Sequence, residues 1–223
     1  LTYVAADGEE GFPGNITCKV LMKLTDDNAI DIRYEAETDK PTIVNMTNHS
    51  YFNLDGEDSG SVEGQHLQIF ADSFAENDAG CLPTGRIVSL DSEEGAPFDF
   101  REPTEIGKRL HEENIHLKNG SGYDHNYLLK KQPDGLCARA YSRSSGILLE
   151  CRTSEPGMQL YTGNFLSTSN IVGKGGKSYA DRAGFCLETQ HFPCTPSHPD
   201  FPSVVLEPEE EYHETTVYQF KTE

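Results

Sequence analysis

The chain has 223 residues, and its 37 acidic residues outnumber its 18 basic residues to give a formal net charge of -19. A charge of this sign repels nucleic-acid phosphates and anionic membrane surfaces, so the composition favours a neutral or cationic small ligand. No apolar run reaches the roughly 20 residues needed to span a bilayer, and no linker or repeat divides the sequence, which predicts one domain.

The first third of the sequence predicts short strands joined by turns. Residues 1–4 form a strand-like run before a turn rich in Gly and Pro, and residues 18–24 and 29–36 flank a polar turn. In the third run, Ile30, Ile32 and Tyr34 alternate with charged residues. This period of two predicts an antiparallel hairpin with one face exposed to water.

The same pattern continues to the end of the chain. Further predicted strands cover residues 42–46, 65–70, 126–130, 136–142, 146–152, 158–162, 184–187, 203–206 and 215–220. Only residues 103–112 suggest a helix, with Pro near the start and apolar residues four apart. Many strands and little helix predict an all-β fold, a large antiparallel β sandwich.

Six widely spaced cysteines contain no Cys-x-x-Cys pair. Reduced thiols in a cytoplasmic protein are therefore the expected state. Four Asn-x-Ser/Thr triplets leave secretion open as an alternative, although such short triplets often arise by chance.

The polar run at residues 188–193 follows the buried strand predicted at residues 184–187 and begins with Glu188. A second dense polar and aromatic run surrounds His49. A carboxylate and an imidazolium acting together can accept one proton and deliver another without a cofactor. Taken alone, each is better explained as a solvated or hydrogen-bonded group at a strand end.

Two further polar residues fit the recognition of sugar hydroxyls. Asp124 can accept two hydrogen bonds, and the amide of Gln159 both donates and accepts. The alternatives are an Asx turn at Asp124 and a solvent-facing amide at Gln159. The histidines at 49, 125 and 191 lack the tight spacing of zinc ligands, so no metal site is expected.

Six motifs in order along nearly the whole chain resemble those of the galactose mutarotase (aldose 1-epimerase) family. They are DGEEGFPG at residues 7–14, TNHSYFNL at 47–54, LPTG at 82–85, GYDHN at 122–126, QLYTGN at 159–164 and LETQ at 187–190.

The resemblance implies a galactose mutarotase-like β sandwich that acts without a cofactor on a free aldohexose such as galactose or glucose. By position, Glu188 is then the general base, His49 the general acid, and Asp124 and Gln159 ligands of sugar hydroxyls. The implied reaction interconverts the α and β anomers by ring opening and closure.

The sequence departs from the family pattern in two ways. Members of the family have a further N-terminal segment that supplies an arginine and a histidine to the sugar pocket. We therefore expect residues 1–223 to be the C-terminal portion of one such domain, unstable or nearly inactive without the upstream segment as its partner. In addition, Cys194 stands where the family usually has an aspartate.

Two other functions fit the same pattern. A hexose-6-phosphate 1-epimerase would need clustered arginines for the phosphate, whereas the eight arginines here are scattered. A non-catalytic sugar-binding β sandwich would need the aromatic and polar groups but not the acid and the base.

Overall fold

A computed structural model describes residues 1–169 and 172–222, and antiparallel β structure dominates it. The strands are Thr2–Ala5 (β1), Ile16–Leu24 (β2), Ala29–Thr38 (β3), Thr42–Ile43 (β4), His66–Ile69 (β5), Ala71–Asn77 (β6), Pro83–Ser89 (β7), Thr104–Glu105 (β8), Asp124–Leu129 (β9), Leu136–Tyr141 (β10), Ile147–Thr153 (β11), Gly157–Tyr161 (β12), Cys186–Gln190 (β13), Val205–Leu206 (β14) and Tyr212–Thr222 (β15). The α-helix is Ile115–Gly120 (α1), and short 3-10 helices cover Glu9–Gly11, Val62–Gly64, Ala96–Phe98, Ile106–Lys108, Leu166–Ser169 and Thr195–Ser197.

Two large sheets form the body of the molecule. In the described ranges, the first has the strand order β1-β2-β3-β15-β11-β10-β5-β8 and the second the order β13-β12-β9-β6-β7, while β14 pairs with β4. The main hydrophobic core takes side chains from both large sheets, including Ile32 and Leu149 from the first and Phe74 and Leu160 from the second. The predicted antiparallel β sandwich is thereby confirmed.

Hydrogen bonds also join the two sheets directly. The Tyr218 hydroxyl on β15 donates to the Leu187 carbonyl on β13 at 2.6 Å, and the hydroxyls of Thr189 and Thr216 lie 2.5 Å apart. Because both contacts are buried, they fix the distance between β13 and the first sheet. Leu187 and Thr189 face this core, so the alternating residues Cys186, Glu188 and Gln190 face the other way.

The helix expected at residues 103–112 is wrong. That segment contains β8 followed by the 3-10 helix Ile106–Lys108, and α1 begins at Ile115 instead. The Asn114 side chain caps α1 by accepting hydrogen bonds from the backbone N–H groups of His116 and Leu117. A side-chain cap of this type stabilises a helix start, whereas the apolar spacing of Ile106 and Leu110 serves only to bury both side chains.

None of the helices in the described ranges has the length and apolar character needed to cross a bilayer.

Candidate active site

Three neighbouring strands, β9, β12 and β13, present polar side chains on the outer face of the second sheet. Gln159 on β12 lies directly opposite Glu188 on β13. Two residues further along β12, Tyr161 lies opposite Cys186 on β13 and opposite Asp124 on β9. The antiparallel register therefore gathers side chains from three distant parts of the sequence onto one patch.

A loop after β4 adds His49 to this patch. The loop is attached to the sheet where Phe52 and Phe185 exchange two backbone hydrogen bonds, of 2.8 and 2.9 Å. The His49 ring stacks on Tyr51 with centroids 5.1 Å apart and meets the edge of Tyr161 at 6.1 Å. Backbone pairing thus places the loop, and the two tyrosines orient the imidazole.

The His49 imidazole faces the Glu188 carboxylate. The distance from His49 Nε2 to Glu188 Oε1 is 3.5 Å, and the side chains are 51% and 10% exposed, respectively. This separation is longer than that of a strong hydrogen bond between charged groups. Both atoms are therefore available to a third molecule.

Asp124 and Gln159 are joined on the floor of the site. Gln159 Nε2 donates a hydrogen bond to Asp124 Oδ1 at 2.7 Å. The other amide atom, Gln159 Oε1, is buried and has no hydrogen-bond partner among the described residues. Since a buried acceptor without a donor is costly, this oxygen is suited to a hydroxyl group supplied by a ligand.

Burial dominates the electrostatics of the site. It raises the pKa of Glu188 to about 7, with a further contribution from the negative charge of Asp124. Burial also raises the pKa of Asp124, while the hydrogen bond from Gln159 and the proximity of His49 act in the opposite direction. A buried carboxyl group in a cleft, with its ionisation further disfavoured by a neighbouring carboxylate, is typical of a site that handles protons.

All four residues predicted from the sequence border one cavity of about 330 Å³. Its lining consists of His49, Tyr51, Asp124, Gln159, Tyr161, Phe165, Glu188, Gln190 and Pro193. Such a volume suits a ligand the size of a monosaccharide. A larger cavity of about 510 Å³ nearby is mainly apolar and is bordered by Phe52, Leu54, Ile147 and Phe220, among others.

The sequence analysis assigned no role to several residues of the site. Tyr51 and Cys186 lie two positions from His49 and Glu188, respectively, and Tyr161 lies two positions from Gln159. In strands, a spacing of two places side chains on the same face, so this signal was present for Tyr161 and Cys186. Phe165 and Pro193 come from loops, where no periodic pattern could have identified them.

The other two histidines weighed as metal ligands lie elsewhere. His125 is buried in the core between Phe74 and Phe98, and burial lowers its pKa to about 3. His191 contacts Glu155, with 2.6 Å between Nδ1 and Oε2. The three histidines therefore form no common site.

Comparison with known proteins agrees with this geometry. Residues 1–219 match the model of the aldose 1-epimerase family. The galactose mutarotase of Rattus norvegicus is 42% identical over 218 residues, which cover 97% of this chain and 61% of that protein. The aldose 1-epimerase of Escherichia coli K12 is 42% identical over 221 residues, which cover 97% of this chain and 62% of that protein.

Solved structures give the same result. An aldose epimerase homologue from C. elegans superposes with a TM-score of 0.86 at 30% identity, covering 99% of this chain and 65% of that one. A galactose 1-epimerase from Lactobacillus acidophilus superposes with a TM-score of 0.84 at 26% identity, covering 100% of this chain and 62% of that one. The chain thus spans about three fifths of the length of these relatives, and it belongs to the aldose 1-epimerase family.

Proposed function

We propose that this chain carries the acid–base centre of an aldose 1-epimerase, which interconverts the α and β anomers of a free aldohexose such as galactose or glucose. The observation that carries the proposal is the His49–Glu188 pair, with 3.5 Å between Nε2 and Oε1, at the edge of a monosaccharide-sized cavity. The anomeric oxygen and the ring oxygen of an aldose are bonded to the same carbon. A base and an acid this close can therefore reach both.

In the proposed reaction, Glu188 accepts the proton of the anomeric hydroxyl while His49 Nε2–H donates a proton to the ring oxygen. The bond between C1 and the ring oxygen breaks as the C1 carbonyl forms, which gives the open-chain aldehyde. Rotation about C1–C2 presents the opposite carbonyl face, and reversal of both transfers closes the ring as the other anomer. Concerted transfer avoids a full charge on either oxygen.

The pKa of Glu188 supports its role as the base. A general base works best when its pKa lies near the operating pH, because it is then both ionised and basic enough to accept a proton. Burial and Asp124 bring the pKa of Glu188 to about 7. An unperturbed glutamate would be ionised at neutral pH but would be a weaker base.

Asp124 and Gln159 are proposed to hold the sugar. The unpartnered Gln159 Oε1 can accept from a hydroxyl, and the carboxylate of Asp124 can accept from another while keeping its bond to Gln159 Nε2. The aromatic rings of Tyr51, Tyr161 and Phe165 border the same cavity and offer apolar surfaces to the ring C–H groups. These contacts fix the anomeric carbon beside the acid and the base.

The lining also favours a neutral sugar over a hexose 6-phosphate. Asp124 and Glu188 contribute two carboxyl groups to the cavity, and these would repel a phosphate dianion. The net charge of -19 also disfavours a phosphorylated substrate.

A cytoplasmic location is proposed as well, supported by the six cysteines, which are all free.

Polarimetry on freshly dissolved α-galactose tests the proposal. We expect the protein to accelerate mutarotation and Glu188→Gln to slow it by about 100-fold or more, because the amide keeps the shape but cannot accept the proton. His49→Asn should behave similarly. Wild-type rates in Glu188→Gln would remove Glu188 from the mechanism, and sugar binding without any acceleration by the wild type would indicate a non-catalytic sugar-binding protein.

The pH dependence gives a second test. Because Glu188 must be ionised to act as the base, kcat/KM should rise as the pH increases through about 7. A rising limb near the ordinary pKa of 4.5 would contradict the effect of burial on this carboxyl group.

A further inference from the structure

The sequence analysis considered metal binding only among the three histidines, and the structure adds a thiol to one of them. Cys186 and Glu188 lie two residues apart on β13 and face the same side as the His49 imidazole. The Cys186 sulfur, a His49 ring nitrogen and a Glu188 carboxylate oxygen all lie within 4.8 Å of one another. Sulfur, imidazole nitrogen and carboxylate oxygen are the three donor types that zinc prefers in proteins.

We propose that Cys186, His49 and Glu188 together bind a zinc-like divalent cation, and that the bound cation inhibits the enzyme. The site goes beyond the proposed reaction, which uses no metal, and its binding half does not depend on that reaction. Three protein ligands with an open fourth position are typical of zinc sites that remain accessible to a small molecule.

The separation between His49 and Glu188 fits such an ion. Two nitrogen or oxygen ligands at about 2.0–2.1 Å from a tetrahedral zinc ion lie about 3.3 Å apart. His49 Nε2 and Glu188 Oε1 are separated by 3.5 Å, so a cation fits between them after a small adjustment. The second cluster of possible ligands in the described ranges, formed by Glu155, His191 and Glu214, differs because Glu155 and His191 are already in hydrogen-bond contact at 2.6 Å.

The charges around the site also favour a cation. Asp124 borders the same cavity as His49 and Glu188, so it adds a second carboxyl group near the proposed cation. A divalent cation is attracted by these carboxyl groups, and its binding displaces the protons of its ligands.

A route to the site exists on its outer side. The His49 side chain is half-exposed, and it borders the cavity of about 330 Å³ together with Glu188. A cation entering from the cavity would meet the imidazole and the carboxylate first and the buried sulfur last. Water or a sugar hydroxyl would supply the fourth ligand.

Inhibition follows from the atoms that the cation occupies. A metal bond to His49 Nε2 uses the electron pair that would otherwise hold the donated proton, and a metal bond to Glu188 uses the oxygen that would accept one. Neither residue can then transfer a proton to or from the sugar.

Titration of the metal-free protein with Co²⁺ tests the binding half. We expect an intense thiolate-to-cobalt charge-transfer absorption that Zn²⁺ abolishes by competition. Cys186→Ser should lose this absorption and bind Zn²⁺ more than about tenfold more weakly, because even indirect partners of a metal site contribute about 10- to 100-fold to affinity. His49→Asn, a change at a half-exposed side chain that leaves the core intact, should also weaken Zn²⁺ binding by about tenfold or more.

Cys151→Ser is the matched control, because Cys151 is another fully buried strand thiol, on β11 and outside this cluster. It should keep the cobalt absorption. Absorption that survives in Cys186→Ser, or that disappears in Cys151→Ser when circular dichroism shows both variants folded, would overturn the proposed site. So would Zn²⁺ binding that is unchanged in His49→Asn.

Polarimetry tests the inhibitory half, which rests on the proposed function. Zn²⁺ should slow mutarotation by the wild type, a chelator should restore the rate, and Cys186→Ser should need more than about tenfold more Zn²⁺ for the same fractional inhibition of its own metal-free rate. Zn²⁺ binding without inhibition would refute this half. A metal-free wild type without activity would refute the proposed function instead, while the cobalt result would still stand.

Discussion

Two glutamate–histidine pairs lie near strand β13, one through Glu188 in the middle of the strand and one through His191 directly after it, and their contacts differ. His49 and Glu188 approach to 3.5 Å beside a cavity. His191, three residues after Glu188, contacts Glu155 at 2.6 Å, and the Glu155 side chain is completely buried. Glu155 also accepts a hydrogen bond from the Tyr212 hydroxyl at 3.0 Å.

The difference appears in the pKa values. The hydrogen bond to Glu155 raises the pKa of His191, so this pair is stabilised in its charged form. Glu188 lacks an equally close partner, and burial and Asp124 raise its pKa to about 7 instead. The same two residue types thus form a structural contact in one place and the proposed acid–base site in the other, according to whether their hydrogen bonds are satisfied within the protein.

The largest expected effect on stability comes from Glu155→Gln. His191 and Tyr212 contact different oxygens of Glu155, and the amide keeps only one oxygen, so one partly buried donor loses its partner. We expect urea unfolding to show a loss of about 3 kcal/mol, since breaking a buried charged pair is strongly destabilising.

The pH dependence of this loss identifies its cause. The folded-state pKa of His191 is raised above 6.5, so its contribution is fully present below that pH and declines as the pH rises through the folded-state pKa. The effect of Glu155→Gln should therefore be larger at about pH 6 than at about pH 9. A loss that does not change with pH would show that the charge of His191 has no part in it.

The same substitution at the other pair, Glu188→Gln, should change the free energy of unfolding in the opposite direction. The folded-state pKa of Glu188 is raised from 4.5 to about 7, so the folded protein retains a proton that the unfolded chain loses. The wild type thus loses stability as the pH rises from 4.5 to about 7, and Glu188→Gln does not.

We expect Glu188→Gln to be more stable than the wild type by about 2 to 3 kcal/mol at about pH 8 and nearly equal to it at about pH 4. Urea unfolding at both pH values measures this difference. A variant that is less stable at both would place Glu188 in the same structural class as Glu155 and would remove the distinction between the pairs.

The smallest expected effect concerns Asn45, which connects the two pairs. Its side chain donates to the His191 carbonyl and accepts from the His191 backbone N–H, both at 3.0 Å. Asn45→Ala should cost about 1 to 2 kcal/mol for these two hydrogen bonds. It should also lower kcat more than it raises KM, because the loop bearing His49 loses its attachment to the residue that follows β13.

Asn48→Ala is a control within the same loop, because the Asn48 side chain accepts only a local hydrogen bond, from the backbone N–H of Ser50. It should leave the stability within about 0.5 kcal/mol of the wild type. Equal losses of stability in the two variants would show that the bridge to His191 has no special role.

The sequence predicted the β sandwich because the alternation of apolar and polar residues, as at Ile32, Arg33 and Tyr34, is a local property that survives in the fold. Strands β6, β7 and β8 were missed, and the helix was expected one segment too early. Strand β6 has buried residues on both faces, so its sequence shows little alternation of apolar and polar residues. The helix begins where the Asn114 side chain caps it, and not where Ile106 and Leu110 have helical spacing.

For the site, the motifs brought together His49, Asp124, Gln159 and Glu188, and all four border one cavity in the structure. Their roles stay predictions until the variants are measured. What the sequence could not give was the partner of each group. Both pairs join a glutamate and a histidine that are distant in sequence, so no local pattern could assign the partner of Glu188 or of Glu155.

The sequence by itself determined the composition of the strands, the net charge and the set of chemically capable residues, because these depend on residue type and on spacings of a few positions. Only the tertiary structure decided that Cys186 lies beside His49 and Glu188, that Asn45 holds the backbone of His191, and that His125 is buried among aromatic rings. The physical reason is that a hydrogen bond, a desolvated charge or a metal site depends on distances of a few ångströms between groups that the register of separate strands brings together.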